Sequence, residues 1–542
     1  MLRQLRKKAR NGILIGKSLD FLWDSSYLQS SILWDTATYH QYHLVITGKN
    51  RLQQRSAARC KQLFARCRGF RRGTITLPKR KRDSPINFSN LTFPTVMHKT
   101  KIVATLGPVT DQLPMLEKLH ASGMSIARLN FSHGTDAWFQ NTIAQLHALN
   151  DNHQRKVSIL VDTKGPEMRT CDVETPIEIV EGGAYSVGYA KDSGADILVD
   201  YPHLLRDVPV GQAILIDGGT IIMHVTGITE KTLLVRSEQS GQITSRRHVN
   251  VPSIHLDLPI LDANDKRLLA LTLNSGVDMI AMSFVNTAAQ VEEVRAFIAD
   301  FVNHPFALIA KIETQMALDN IESIASACDG IMIARGDLAM EIPLELLPTA
   351  QRHILSVCHR LQVPCIIATH MMKSMTDNPT PTRAEILDVG HAVYDGTDAV
   401  MTSEETSVGH FPAETIGLMA RISAKTEESM QNQPAWETPS IHHGLTKLEH
   451  IRANLAASKA EALIYAASSF TAVRLMASLK LPVPCIAVAQ KTSVARYAAL
   501  NYGQYGLVGS GSSEKDLQDV ARPLLRELFG GKEPQKIAVV SL

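Results

Sequence analysis

From Lys101 to Thr406 the chain passes eight times from a short apolar run to an amphipathic segment, and this alternation is broken once. The runs are "KIVATLG", "SIARLNFSH", "VSILVDTKG", "DMIAMSFV", "FALIAKIE", "GIMIAR", "VPCIIATH" and "DAVMTSEE". Each is strand-length and apolar almost throughout, as in strands buried on both faces. The segments between them read as helices, such as "QLPMLEKLHASG", closed by Gly123. Eight strand–helix units predict a (β/α)8 barrel. The break, from about Asp172 to Pro252, holds short glycine-punctuated strands, "ADILVDYP", "GQAILIDGG", "TIIMHVTGI" and "KTLLVRSE", and reads as an all-β insertion after strand three. After Gly444 a second α/β pattern begins, "RLMASLKLPVPCIAVAQ", "YGLVGSGS", "KIAVVSL", consistent with a small doubly wound domain. The expected class is α/β: a TIM barrel (97–171 and 253–435), an inserted β-barrel lid domain (172–252) and a C-terminal α/β domain (444–542).

Residues 1–96 differ in kind. They carry 19 Lys+Arg against 4 Asp and no Glu, and show no sustained period. The stretch Arg51–Arg82 could bind nucleic acid electrostatically, or the segment could be a transit peptide or a disordered tail. The expectation adopted is a start placed too early, Met97 standing directly before the first strand, with no nucleic-acid partner. No apolar run reaches membrane-spanning length. Seven scattered cysteines without a CxxC pair point to a reducing, cytoplasmic setting rather than a disulfide framework or zinc site.

Barrel enzymes keep their chemistry at strand C-termini. Residues two apart share a strand face, so "ARLNFSH" groups Arg128, Asn130 and Ser132, and "AKIE" groups Lys311 and Glu313. Asp162, Thr163, Glu167 and Arg169 end the third run, Gly336 and Asp337 follow the sixth, and Thr369 ends the seventh. Glu313 and Asp337 are hard oxygen ligands suited to Mg2+. Arg128 and Lys311 are cations for phosphate. Gly336 lets backbone N–H groups approach an anion. Asn130, Ser132, Asp162 and Thr163 offer oxygens for a monovalent cation. Two cations, a phosphate clamp and no evident nucleophile suggest phosphoryl transfer. Each element also has a structural reading: Lys311–Glu313 an ion pair, Asp337 a helix cap, Asn130 and Ser132 core polars.

The segments "TKIVATLGP", "GMSIARLNFSHGT", "VDTKGPEMRT", "IAKIE", "DGIMIARGDLAMEIP", "PCIIATHMM", "PTRAEILDV" and "AVYDGTDAVMTSEET" occur in the order of the pyruvate kinase signatures, and the chain resembles that family from about Lys99 to Phe411. The resemblance implies transfer of the phosphoenolpyruvate phosphoryl group to ADP, giving pyruvate and ATP. It implies Mg2+ at Glu313 and Asp337, and K+ at Asn130, Ser132, Asp162 and Thr163. Nucleotide would meet Asn130, His133 and Arg169. Lys311, Arg128 and Thr369 would act on the substrate, which Gly336 and Asp337 also contact. Glu167 matches the potassium-dependent members. A homotetramer is the family's usual state.

Departures from the pattern are Gly218 in the lid, His248 in "RHVN", Ala339, His370, Lys373, Leu387 and Glu404. They touch lid and proton-relay positions, and leave open a weakened paralogue that binds phosphoenolpyruvate or nucleotide. A lyase on the related phosphoenolpyruvate/pyruvate barrel is a further alternative. The turn "AASSFTAVR" could hold an effector phosphate or cap its helix through a hydroxyl.

Overall fold

The structure, a computed structural model, describes residues 97–189, 193–254, 256–431 and 446–540. The expectations placed on 1–96 lie outside the described residues. Eight parallel strands close a barrel: β1 (Lys101–Thr105), β2 (Ile126–Asn130), β3 (Ser158–Asp162), β4 (Met279–Met282), β5 (Ala307–Ile312), β6 (Gly330–Ala334), β7 (Cys365–Ala368) and β8 (Ala399–Thr402). Closure is made by β8 against β1, with Lys101 opposite Ala399 and Ala104 opposite Thr402. The strands are buried on both faces, by the barrel interior and by the helices. That is why they read as continuous apolar runs.

The pleat sorts these residues into two cores. Ala310, Ile312, Ile331 and Ile333 join the core beneath the helices. Ile126, Leu160, Ala281, Ile309 and Met332 fill the barrel. Continuing the inward series by two residues turns it from apolar to charged. Ile126 leads to Arg128, Leu160 to Asp162, Ala281 to Ser283, and Ile309 to Lys311 and Glu313. The barrel therefore delivers its ionic groups to one end by periodicity alone.

The C-terminal sheet runs Gln504–Val508, Cys485–Ala489, Ala462–Ala466, Ile537–Val540, all parallel. It seals the other barrel end. Tyr497 Oη donates to the Asp329 carbonyl (2.6 Å) just before β6, and Lys480 pairs with Asp398 (2.7 Å) just before β8. In its first turn Ser469 accepts from the Ala472 N–H, so the hydroxyl caps the helix Phe470–Ser478.

The inserted sheet has seven strands, ordered Met168–Arg169, His248–Asn250, Ala213–Ile216, Ile221–Ile228, Leu233–Ser237, Ala184–Gly188, Ile197–Leu198. Its alternating burial marks one covered face. One assignment changes: Met168 and Arg169, read as the end of strand three, pair instead with Val249 and His248. Gly165, at φ 75°, turns the chain out of the barrel before them. The lid sheet thus begins ahead of residue 172, because its closing partner fixes its first strand.

Candidate active site

At the C-terminal mouth four side chains form one buried ionic chain. Arg128 Nε lies 2.6 Å from Asp162 Oδ2, Asp162 Oδ1 lies 3.2 Å from Lys311 Nζ, and Lys311 Nζ lies 3.0 Å from Glu313 Oε1. None of the four side chains is more than 11% exposed, so these charges act in a weakly screened site. Thr105 Oγ1 accepts from Arg128 Nη1 (2.8 Å) and Ser283 Oγ from Lys311 Nζ (2.6 Å).

The protonation states follow. Burial works against the Asp162 carboxylate, but Arg128 and Lys311 outweigh it and hold its pKa below the usual value. Burial likewise works against the Lys311 cation, and Asp162 and Glu313 overcome it, raising the ammonium's pKa. Glu313 goes the other way. Burial pushes it up to about 8, with Lys311 opposing and the neighbouring Asp337 charge adding to the rise. Its Oε2 accepts from the Phe284 N–H (2.6 Å), while its buried Oε1 makes no hydrogen bond despite its ion-pair distance from Lys311. A buried carboxyl oxygen that faces the Lys311 ammonium without a hydrogen bond, beside the Asp337 charge, fits a divalent cation.

Asp337 lies in the first turn of the helix Arg335–Glu341, and no side-chain hydrogen bond caps that helix. The capping reading of Asp337 is therefore set aside. The β7 exit is strained: Thr369 and His370 both take left-handed conformations, φ 72° and 57°. For a β-branched residue this is unusual and has to be held. Arg335 holds it from one side, donating to the carbonyls of Ala368 (3.0 Å) and Thr369 (2.6 Å) and pairing with Asp388. Glu405 holds it from the other, accepting from the N–H groups of Met372 and Ser403. Gly336 sits against Thr369: a Cβ there would meet Thr369 Cγ2 at 3.0 Å.

A cleft beside the ionic chain is lined by Asn130, Ser132, His133, Lys164, Arg169, Arg246 and Asn264. Asn130 is opposite Asp162 in register, and its Oδ1 accepts from the Ser132 N–H. The Ser132 and His133 side chains are exposed, whereas Asp162 and Thr163 are buried and both Asp162 oxygens face cations. Glu167 is gripped by Arg169 (2.5 Å) and by Lys164 (3.8 Å).

Arg335 and Glu405, the two loop clamps, carried no assigned role in the sequence, because their partners are distant in the chain. Ser283 likewise carried no assigned role, although a signal for it existed: it is a lone polar residue at the inward parity of "MIAMSFV". Two departures from the family pattern meet in space, Lys373 Nζ lying 2.6 Å from Glu404 Oε1. His248, half-buried in the lid sheet, packs edge-on to Phe284 at 6.1 Å.

Comparison with known proteins agrees with this geometry. The family model described as "Pyruvate kinase, barrel domain" matches residues 97–416. A pyruvate kinase of Sporosarcina psychrophila is 36% identical over 446 residues, 80% of this chain and 76% of that one. One of Debaryomyces hansenii is 35% identical over 428 residues, 76% of this chain and 85% of its own. The solved pyruvate kinase of Cryptosporidium parvum superposes with a TM-score of 0.74 at 30% identity, covering 82% of this chain and 94% of that structure. With the family model spanning more than half of the chain and relatives matched over most of both chains, this chain belongs to the pyruvate kinase family of phosphotransferases.

Proposed function

We propose that the chain transfers the phosphoryl group of phosphoenolpyruvate to ADP, with Mg2+ held by Glu313 and Asp337 and K+ held near Asn130, Ser132, Asp162 and Thr163. The observation that supports this most is the buried Arg128–Asp162–Lys311–Glu313 chain, ending in a Glu313 oxygen that is ion-paired but not hydrogen-bonded. Arg128 and Lys311 bind and orient the phosphate. An oxygen of the ADP β-phosphate attacks phosphorus, the bond from phosphorus to the enol oxygen breaks, and the enolate takes a proton at its methylene carbon to become pyruvate. Lys311, with its raised pKa, keeps its proton throughout and acts by charge rather than as the acid. When bound, Mg2+ supplies positive charge against the phosphoryl group in transit. The Thr369 hydroxyl, held on a strained turn, passes the solvent proton toward the enolate. Asn130 and Ser132 on the cleft wall, with Asp162 and Thr163 behind them, would hold K+, which would add positive charge beside the His133 and Arg169 assigned to nucleotide. The working form is a cytoplasmic homotetramer.

Leu387, 58% exposed where the family carries a rim serine, favours one second reading, a paralogue that binds substrate but turns it over slowly. Steady-state ATP formation from phosphoenolpyruvate and ADP, with Mg2+ and K+ varied, decides. Saturable, Mg2+-dependent turnover supports the lead; substrate binding without turnover overturns it in favour of the paralogue.

A further inference from the structure

Far from the phosphoryl site, at the N-terminal end of β3, three side chains from separate elements converge. His120 is in the last turn of the helix Leu113–Ser122, His153 follows the helix Asp136–Asn152, and Glu527 is near the end of the helix Glu514–Leu528 in the C-terminal domain. Their donor atoms all lie within 4.8 Å of one another. The two imidazole centroids are 4.1 Å apart, and His120 Nε2 lies 4.0 Å from Glu527 Oε1. Bonds of about 2.0–2.1 Å to a tetrahedral ion need donors about 3.3 Å apart, a closure of up to about 1.5 Å from the separations here.

The surrounding groups orient these donors. Glu117, three residues before His120, accepts from His153 Nε2 at 2.6 Å. That leaves Nδ1 to coordinate, and supplies the carboxylate that characteristically backs a metal-binding histidine. Glu527 Oε2 is occupied by the N–H groups of Gln154 (2.7 Å) and Arg155 (3.1 Å), which directs Oε1 toward the imidazoles. The nearby cations spend donors on carbonyls, Arg155 on Met124 and His120 and Lys156 on Asn150, and their charges favour the neutral, ligating form of His120. Glu117 and Glu527 together balance a dipositive charge.

We infer that Glu117, His120, His153 and Glu527 form a zinc site, with His120, His153 and Glu527 as ligands and Glu117 orienting His153, that clips the C-terminal domain to the barrel. Imidazole nitrogen with one carboxylate is a zinc donor set, and three protein ligands leave a fourth position for water. His120 Nε2 lies 2.8 Å from the Arg155 carbonyl and donates to it. Binding moves that proton to Nδ1 and exchanges one hydrogen bond for a coordination bond.

The test uses the full chain, stripped with a chelator and held at saturating Mg2+ to occupy the active-site carboxylates. Zinc is titrated by calorimetry, and Co2+ is added in parallel to read the intense visible bands of a four-coordinate site. One zinc per chain is expected, with those bands and a zinc-dependent rise in Tm. His153→Ala, a change at a half-buried position, abolishes the bands. Glu117→Gln, which removes the carboxylate charge behind His153, weakens zinc by about 10- to 100-fold. Unchanged affinity and bands in both variants, or no band in the parent chain, overturns the inference.

Discussion

Replacing Lys311 by Met is the most incisive perturbation of the phosphoryl site. Its ammonium lies 3.0 Å from Glu313, 3.2 Å from Asp162 and 2.6 Å from Ser283 Oγ, all buried. Two separable effects follow. Losing one preorganised cation aimed at developing charge costs about 100- to 1000-fold in turnover, or about 2.7–4 kcal/mol in the barrier. Breaking a buried pair by removing one partner typically costs about 3–5 kcal/mol of stability. Here the stability loss is smaller at neutral pH. Asp162 keeps Arg128 at 2.6 Å, and Glu313, raised to about 8, already holds its proton at neutral pH and leaves no bare buried charge behind. The expected variant is folded, with a lowered Tm, measurable phosphoenolpyruvate binding and turnover reduced by about two to three decades. Coupled ATP formation, calorimetric binding and a melting curve read the three quantities. Turnover within about tenfold of the parent refutes the electrostatic role of Lys311.

Four further outcomes are expected. With chelator present, the fold loses stability as pH rises from the ordinary glutamate value of 4.5 to about 8, because folded Glu313 holds a proton that the unfolded chain has released; Mg2+ or Glu313→Gln flattens the melting profile over that window. Glu167→Lys sets a third cation beside Arg169 and Lys164; initial rates against KCl, at fixed ionic strength, should rise less steeply than in the parent and reach a lower maximum, and a parent rate independent of KCl would refute the potassium site. Gly336→Ala presses on Thr369 Cγ2 at 3.0 Å and should raise KM for phosphoenolpyruvate, with about 1–3 kcal/mol lost in a denaturant melt. A chain beginning at Met97 should stay monodisperse and as active as the full chain; its aggregation on a sizing column would assign residues 1–96 a docking role.

How much was legible in the sequence depended on the range of the interactions involved. The barrel was written in the eightfold alternation, because strands buried on both faces need apolar runs and parallel strands need helical crossovers. Arg128, Asp162, Lys311 and Glu313 followed from the parity of those same runs, since a side chain two residues beyond an inward Ile or Leu points inward too. The tertiary structure alone decided what these residues do to one another. Asp162 could be read as an oxygen donor from its type, but its two cationic neighbours come from β2 and β5, one of them 149 positions away in sequence. Arg335 and Glu405 gain meaning only from the strained Thr369 turn they grip, and Met168–Arg169 join the lid sheet only because His248 and Val249 return beside them. His120, His153 and Glu527 show no spacing that a linear motif could reveal, since two helices of the barrel and one of the C-terminal domain must first pack. Periodicity is a local property that a chain carries before it folds, whereas ion pairing, strain and a convergent donor set depend on distances that exist only after distant segments meet.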